Sequence, residues 1–123
     1  MNAKQALYDR LRTYAGLTAL VGDRIFPANA GQGISTPYIT YQKISPGRQY
    51  AMGGYVGMQK TRFQISCFAD LPEDNELVAE QVIAALESWP NVAVYQDGEG
   101  DAYEQSSEKY HIPLGFIIWY QGG

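Results

Sequence analysis

The chain has one cysteine and one histidine, and each scarcity removes a class of function. A lone cysteine cannot close an internal disulfide, and Cys67 alternates with polar neighbours on an apolar face, as an inert core thiol does. One histidine and one cysteine do not make a zinc set. His111, close to Pro113, has no Ser–His–Asp or Cys–His pattern around it to activate a nucleophile, so no enzyme is expected. No glycine-rich run matches a phosphate-cradling motif. No apolar run approaches the roughly 18 residues of a membrane span, and residues 1–5 lack the apolar segment of a signal peptide. The expectation is a protein made and kept in the cytosol, or in something assembled there, with no membrane partner.

Basic residues are nearly missing from the second half. Residues 1–62 hold eight of the nine Lys and Arg and two acids, whereas residues 63–123 hold one base and eleven acids. The halves carry about +6 and −10 around a net charge of −4. Such a division forms a basic nucleic-acid surface or two complementary patches, unless folding interleaves the halves and cancels both. At 123 residues the chain fits a single domain, 1–123, which buries roughly two thirds of its unfolded surface. Ten tyrosines and two tryptophans exceed what so short a chain needs. Both residue types suit strands and also interfaces, where one end of the ring is dry and the other wet.

The strongest pattern is residues 60–69, where Thr61, Phe63, Ile65, Cys67 and Ala69 alternate with Lys60, Arg62, Gln64 and Ser66. Alternation of period two predicts a strand with one core face and one basic, wet face. Residues 37–45 form a second such run, and the segment between them, 46–57, holds four glycines, Arg48, Tyr50, Met52 and Tyr55. The three together predict a long hairpin whose tip is a contact arm. Before it, Asn2 is placed to cap a helix reaching Tyr14 on an Ala3, Leu7, Leu11, Tyr14 face and ended by Gly16. One further helical turn follows over 17–22, then a short extended piece closed by Pro27 and a surface loop over 28–36. After the central strand, Asp70 and Glu73 stand in a capping-box relation, with Pro72 in the first turn. The second helix should bury Val78, Val82, Ala85, Leu86 and Trp89 and stop at Pro90.

A short strand is predicted over 91–96, an acidic loop over 97–107, and a last strand with Tyr110, Ile112, Leu114, Phe116, Ile118 and Tyr120 on one face. Pro113 argues for an edge or a bulge in that strand, and Ile117 with Trp119 leaves its end apolar on both faces. The predicted fold class is α+β: a two-layer sandwich, two helices on one face of a mostly antiparallel four-stranded sheet, in the order α-β-β-α-β-β, with a long hairpin arm.

Residues 97–108 place Asp97, Glu99, Asp101 and Glu108 at positions 1, 3, 5 and 12 of a calcium loop, but Ala102 stands where the sharp turn needs glycine and strands flank it. The pattern reads better as a solvated acidic loop, so no metal or other cofactor is expected. Lys43, Arg48, Lys60 and Arg62 cluster around one hairpin, yet the acidic chain has no recognised nucleic-acid motif.

The segment Leu17-Thr18-Ala19-Leu20-Val21-Gly22-Asp23-Arg24-Ile25-Phe26-Pro27 resembles a known family, as do Thr36-Pro37-Tyr38-Ile39-Thr40-Tyr41 and Arg62-Phe63-Gln64-Ile65-Ser66-Cys67-Phe68-Ala69 leading to Ala84-Ala85-Leu86. These stretches look like the tail-completion family of long-tailed bacteriophages and prophages, and the likeness runs over about residues 3–120. The resemblance implies a structural virion protein, assembled in the host cytoplasm, that forms a ring of six at the head-facing end of the tail tube. Its partners would be other copies of itself, the tail tube protein and head–tail connector proteins, with genome DNA passing through the lumen unbound. No catalytic residue comes with it. A neck adaptor or stopper subunit is the alternative in the same class, and a small monomeric ligand-binding α+β domain the alternative from another. For a ring subunit the expected interface residues are Arg48, Tyr50, Met52, Tyr55, Lys60, Arg62, Asp97, Glu99, Asp101 and Trp119.

Overall fold

The alternating run 60–69 becomes the centre of a mixed sheet. In the computed structural model the described residues are 3–28, 34–44, 58–90, 92–99, 102–104 and 109–121, with backbone alone at 3, 58–60, 93, 97–99, 102–104, 109 and 120–121. Three helices, α1 (Ala3–Thr13), α2 (Ala15–Val21) and α3 (Pro72–Glu87), accompany six strands: β1 (Ile25–Pro27), β2 (Tyr38–Lys43), β3 (Met58–Ala69), β4 (Ala93–Glu99), β5 (Ala102–Glu104) and β6 (Lys109–Gln121). The sheet order is β1-β2-β3-β6-β4, with β5 also paired to β6.

β3 pairs antiparallel with β6 over its whole length, from Met58 opposite Gln121 to Ala69 opposite Tyr110, and with β2 from Phe63 to Phe68. Side chains directly opposite each other share a face, so the register aligns Ile39, Cys67 and Ile112, and likewise Tyr41, Ile65 and Leu114, on the helix side. All six are buried, with Phe63, Phe116 and Ile118 at zero exposure. Leu7 and Leu11 of α1, Leu17 and Val21 of α2, and Val78, Val82 and Leu86 of α3 complete the core cluster. Of the helix faces read from the sequence, Leu7, Leu11, Val78, Val82, Ala85 and Leu86 are buried, while Tyr14 and Trp89 lie beyond the ends of α1 and α3 and are only partly buried.

The two-layer α+β class holds, while the predicted order and strand count need correcting. Among the described residues there are three helices, because the chain breaks at Tyr14, which is extended at φ −84° and ψ 110°, and restarts at once as a seven-residue helix. Gly16 therefore lies inside α2 and does not end α1. The extended piece before Pro27 joins the sheet as β1, parallel to β2, so the sheet is mixed. The acidic stretch after Gln96 is not simply a loop. After an irregularity between Gln96 and Gly98, β4 continues to Glu99 opposite Leu114, and β5 resumes the same register with Ala102 opposite His111. β4 and β5 lie on the same flank of β6, so the six described strands occupy five positions.

Pro113 is likewise not at a sheet edge, since β6 lies between β3 and β4. On its β4 flank the register shift falls between Gln96 and Gly98, opposite Phe116 and Gly115 and not at Pro113. The capping box at Asp70 does not form either. Pro72 is the first helical residue and forces the one before it out of helical conformation, so Leu71, at φ −123° and ψ 143°, takes the cap position with no side-chain bond.

Candidate interaction surfaces

All three helices lie on one face of the sheet, leaving the opposite face to Phe26, Tyr38, Thr40, Arg62, Gln64, Ser66, Phe68, His111, Ile117 and Trp119. Sequence alternation predicted this face as basic and wet, and the register divides it in two. At one end Phe26 meets Tyr38 edge-on at 6.3 Å, Tyr38 stacks on Phe68 at 4.9 Å, and Phe68 stacks on His111 at 4.5 Å with 7° between the rings. This aromatic ladder crosses β1, β2, β3 and β6. It buries Tyr38 on the supposedly open face, and beside it Thr40 and Ser66 are buried too, Ser66 accepting a hydrogen bond from Gln64 Nε2 at 3.2 Å. The other end holds Arg62 opposite Ile117, Lys60 opposite Trp119, and Tyr95 opposite Ile117 on the far flank. Tyr95 is 64% exposed.

The two ends of the sheet also differ in charge. β3 is twelve residues long and, at about 3.3 Å per residue, separates them by about 36 Å. Lys43, Lys60 and Arg62 lie at the end where β2 stops and β3 begins. α3 starts from the opposite end, carrying exposed Asp70, Glu73, Asp74 and Glu76, and β5, with Glu104, lies there too. Arg24 is also on β1's side of that end, but its Nε donates to Pro37 O at 2.9 Å and its Nη2 to Leu20 O at 3.4 Å, so it ties the chain locally.

α3 runs back along the sheet, bringing its last turn to the basic end. There Arg10 Nε donates to Ala85 O at 2.8 Å and Arg10 Nη2 to Ser88 Oγ at 2.9 Å, a cation at the negative end of a helix dipole. The Arg10 guanidinium also lies 5.2 Å from the Tyr14 ring centre. Between the ends of α1 and α3 is an open groove of about 470 Å³ with Trp89 and Pro90 on one side and Arg12 and Asp9 on the other. Arg12 Nε and Asp9 Oδ1 are 3.0 Å apart. In the core, burial, and then Tyr8 alongside, pushes Tyr41 above its ordinary value of 10.0.

Among the interface residues expected from sequence, Arg62 and Trp119 lie on the outer sheet face, Arg62 exposed and Trp119 half-buried. Lys60, Asp97 and Glu99 are placed by their backbones only, Lys60 on β3 and the two acids on β4. Arg48, Tyr50, Met52, Tyr55 and Asp101 lie outside the described residues. The aromatic ladder and the Trp89 groove were missed. Phe26, Tyr38, Phe68 and His111 come from four strands, and only the register between those strands aligns them.

The match to a family model covers residues 5–121 and carries the description "Tail completion protein gp17". The chain belongs to this tail completion family. Family membership makes it a structural component of the phage virion and not an enzyme. Among solved structures, a chain of the "Virion of native gene transfer agent (GTA) particle" matches with a TM-score of 0.73 at 20% identity, covering 98% of this chain and 95% of that one. At that identity the likeness concerns the fold, and it extends over almost the whole of both chains. A search of curated proteins gives no match.

Proposed function

We propose that this tail completion protein is the ring-forming subunit that caps the tail tube and joins the tail to the head connector, with six copies closing around a lumen through which DNA passes unbound. The observation that carries this reading is the placement of opposite charges at opposite ends of one sheet, within a chain that the family match spans almost entirely. A closed ring of identical subunits needs two different surfaces on each copy, and opposite signs on them set register and disfavour like-to-like pairing. Lys60 and Arg62 of one copy would then face the acidic stretch 97–108 of the next, and Trp119 would be covered across the same contact. The segment 46–57, with Arg48, Tyr50, Met52 and Tyr55, connects β2 to β3 in the sequence and would serve as the arm toward a neighbour or the tail tube.

Light scattering on the purified chain, alone and with tail tube protein, tests the reading. Assemblies larger than a dimer are expected. A chain that stays strictly monomeric in the mature tail overturns it, and one that forms its ring only on a head connector supports an adaptor or stopper role.

A further inference from the structure

The helix layer carries a second pair of surfaces, unrelated to the sheet residues above. Leu71 is 51% exposed and Leu77 is 48% exposed, and exposed Glu73, Asp74 and Glu80 surround Leu77 at positions three and four residues away, adjacent on the helix surface. This is an apolar centre with an acidic rim. Beyond the far end of α3, the groove joins Trp89 and Pro90 to the arginine-bearing end of α1. Interfaces combine an apolar centre with a polar rim and favour Trp and Arg as anchors.

We propose that these two surfaces are the halves of one contact between copies of this chain: the acid-rimmed Leu77 surface of one copy seats on the Trp89–Arg12 groove of the next. The inference rests on the ring reading above and names a contact within it. α3 runs on from Leu77 to Glu87 and Trp89 follows two positions later, so the two surfaces are held about 18 Å apart along one helix, and a copy cannot satisfy itself. Because the surfaces differ, their pairing is head-to-tail and repeats from copy to copy. Arg10 is engaged with Ala85 O and Ser88 Oγ and stays with its own α3. Arg12 is available: its side chain is 51% exposed, paired with Asp9 and 5.9 Å from the Tyr8 ring centre, and an exposed pair of that kind is weak enough to yield to three incoming carboxylates.

The test uses the full chain as wild type, Leu77→Arg and Arg12→Glu, with folding checked by circular dichroism melting. Each variant alone is expected to associate at least tenfold more weakly than wild type. Mixed one to one, they should form a heterodimer and nothing larger, because the pair retains one intact leucine surface facing one intact groove. Variants that assemble like wild type overturn the contact, as does a mixture that gains nothing over the separate variants. If Leu77→Arg fails to fold, Glu73→Lys combined with Asp74→Lys perturbs the same rim and is judged by the same outcomes. A wild-type chain that never assembles overturns the ring reading as well, whereas wild-type assembly with indifferent variants overturns this contact alone.

Discussion

Gly22 adopts φ 62° and ψ −126° as it caps α2, its N–H donating to Thr18 O at 2.8 Å. Residues with a side chain avoid that region, so Gly22→Ala should cost about 1 to 3 kcal/mol in thermal melting. Gly16→Ala is the control. An added Cβ there meets Gln81 Oε1, the far end of a flexible side chain, and comes within 3.2 Å of the Tyr14 ring; the improved helix propensity of about 1 kcal/mol offsets the small shift of both, leaving stability about unchanged. Asn75 is 1% exposed, and neither its Oδ1 nor its Nδ2 has a hydrogen-bond partner. A buried unsatisfied amide costs about 1 to 3 kcal/mol, so Asn75→Leu should raise the melting temperature. Tyr41 supplies a pH dependence. Its folded pKa lies above the ordinary 10.0, so the native state keeps its proton where the unfolded state releases it. The associated stability is complete below about pH 10 and falls as pH rises beyond it; Tyr41→Phe should flatten that alkaline decline in denaturant titrations.

At the scale of elements, proline and register explain the departures from sequence reading. Pro72 moved the start of α3 by placing Leu71 in extended conformation, and the register shift beside β6 falls at Gln96 to Gly98 rather than at Pro113. A three-residue strand such as β1 reads from sequence as an extended piece, and its place in the sheet is set by its parallel register with Ile39, Thr40 and Tyr41. Pairing also predicts how the hairpin segment behaves. Among the described residues, β3 is held to β6 over all twelve of its residues and to β2 over six, and this pairing lies outside residues 46–57. Replacing that segment with a short turn should leave the melting temperature nearly unchanged and abolish joining of tails to heads in an in vitro complementation assay. Joining that survives would make the segment a simple connection.

For the molecule as a whole, the expectation concerns salt. Exposed charges attract over about 8 Å at physiological ionic strength, and each surface pair contributes only about 0 to 1 kcal/mol, so assembly should weaken steadily as salt is added. Reversing Lys60 and Arg62 to Glu should lower ring yield. Reversing Asp97, Glu99 and Asp101 to Lys in that background should restore part of it. An acidic stretch that lined the channel would give no rescue and would instead slow DNA ejection, so yield and ejection rate measured on the same variants separate the two arrangements.

The sequence alone determined the α+β class, the buried faces of Leu7, Leu11, Phe63, Ile65, Val78, Val82, Leu114 and Phe116, and the family, because periodicity and short motifs are local properties. It also contained the charge imbalance between halves, without saying whether folding would cancel it. That was decided by the pairing of strands and by the return of α3 along the sheet, which placed Lys43, Lys60 and Arg62 at one end and Asp70, Glu73 and Asp74 at the other. The Phe26–Tyr38–Phe68–His111 ladder and the groove between Arg12 and Trp89 were likewise decided by tertiary structure. Their members are dozens of residues apart in the chain, and no local pattern records which strand or helix end each will meet.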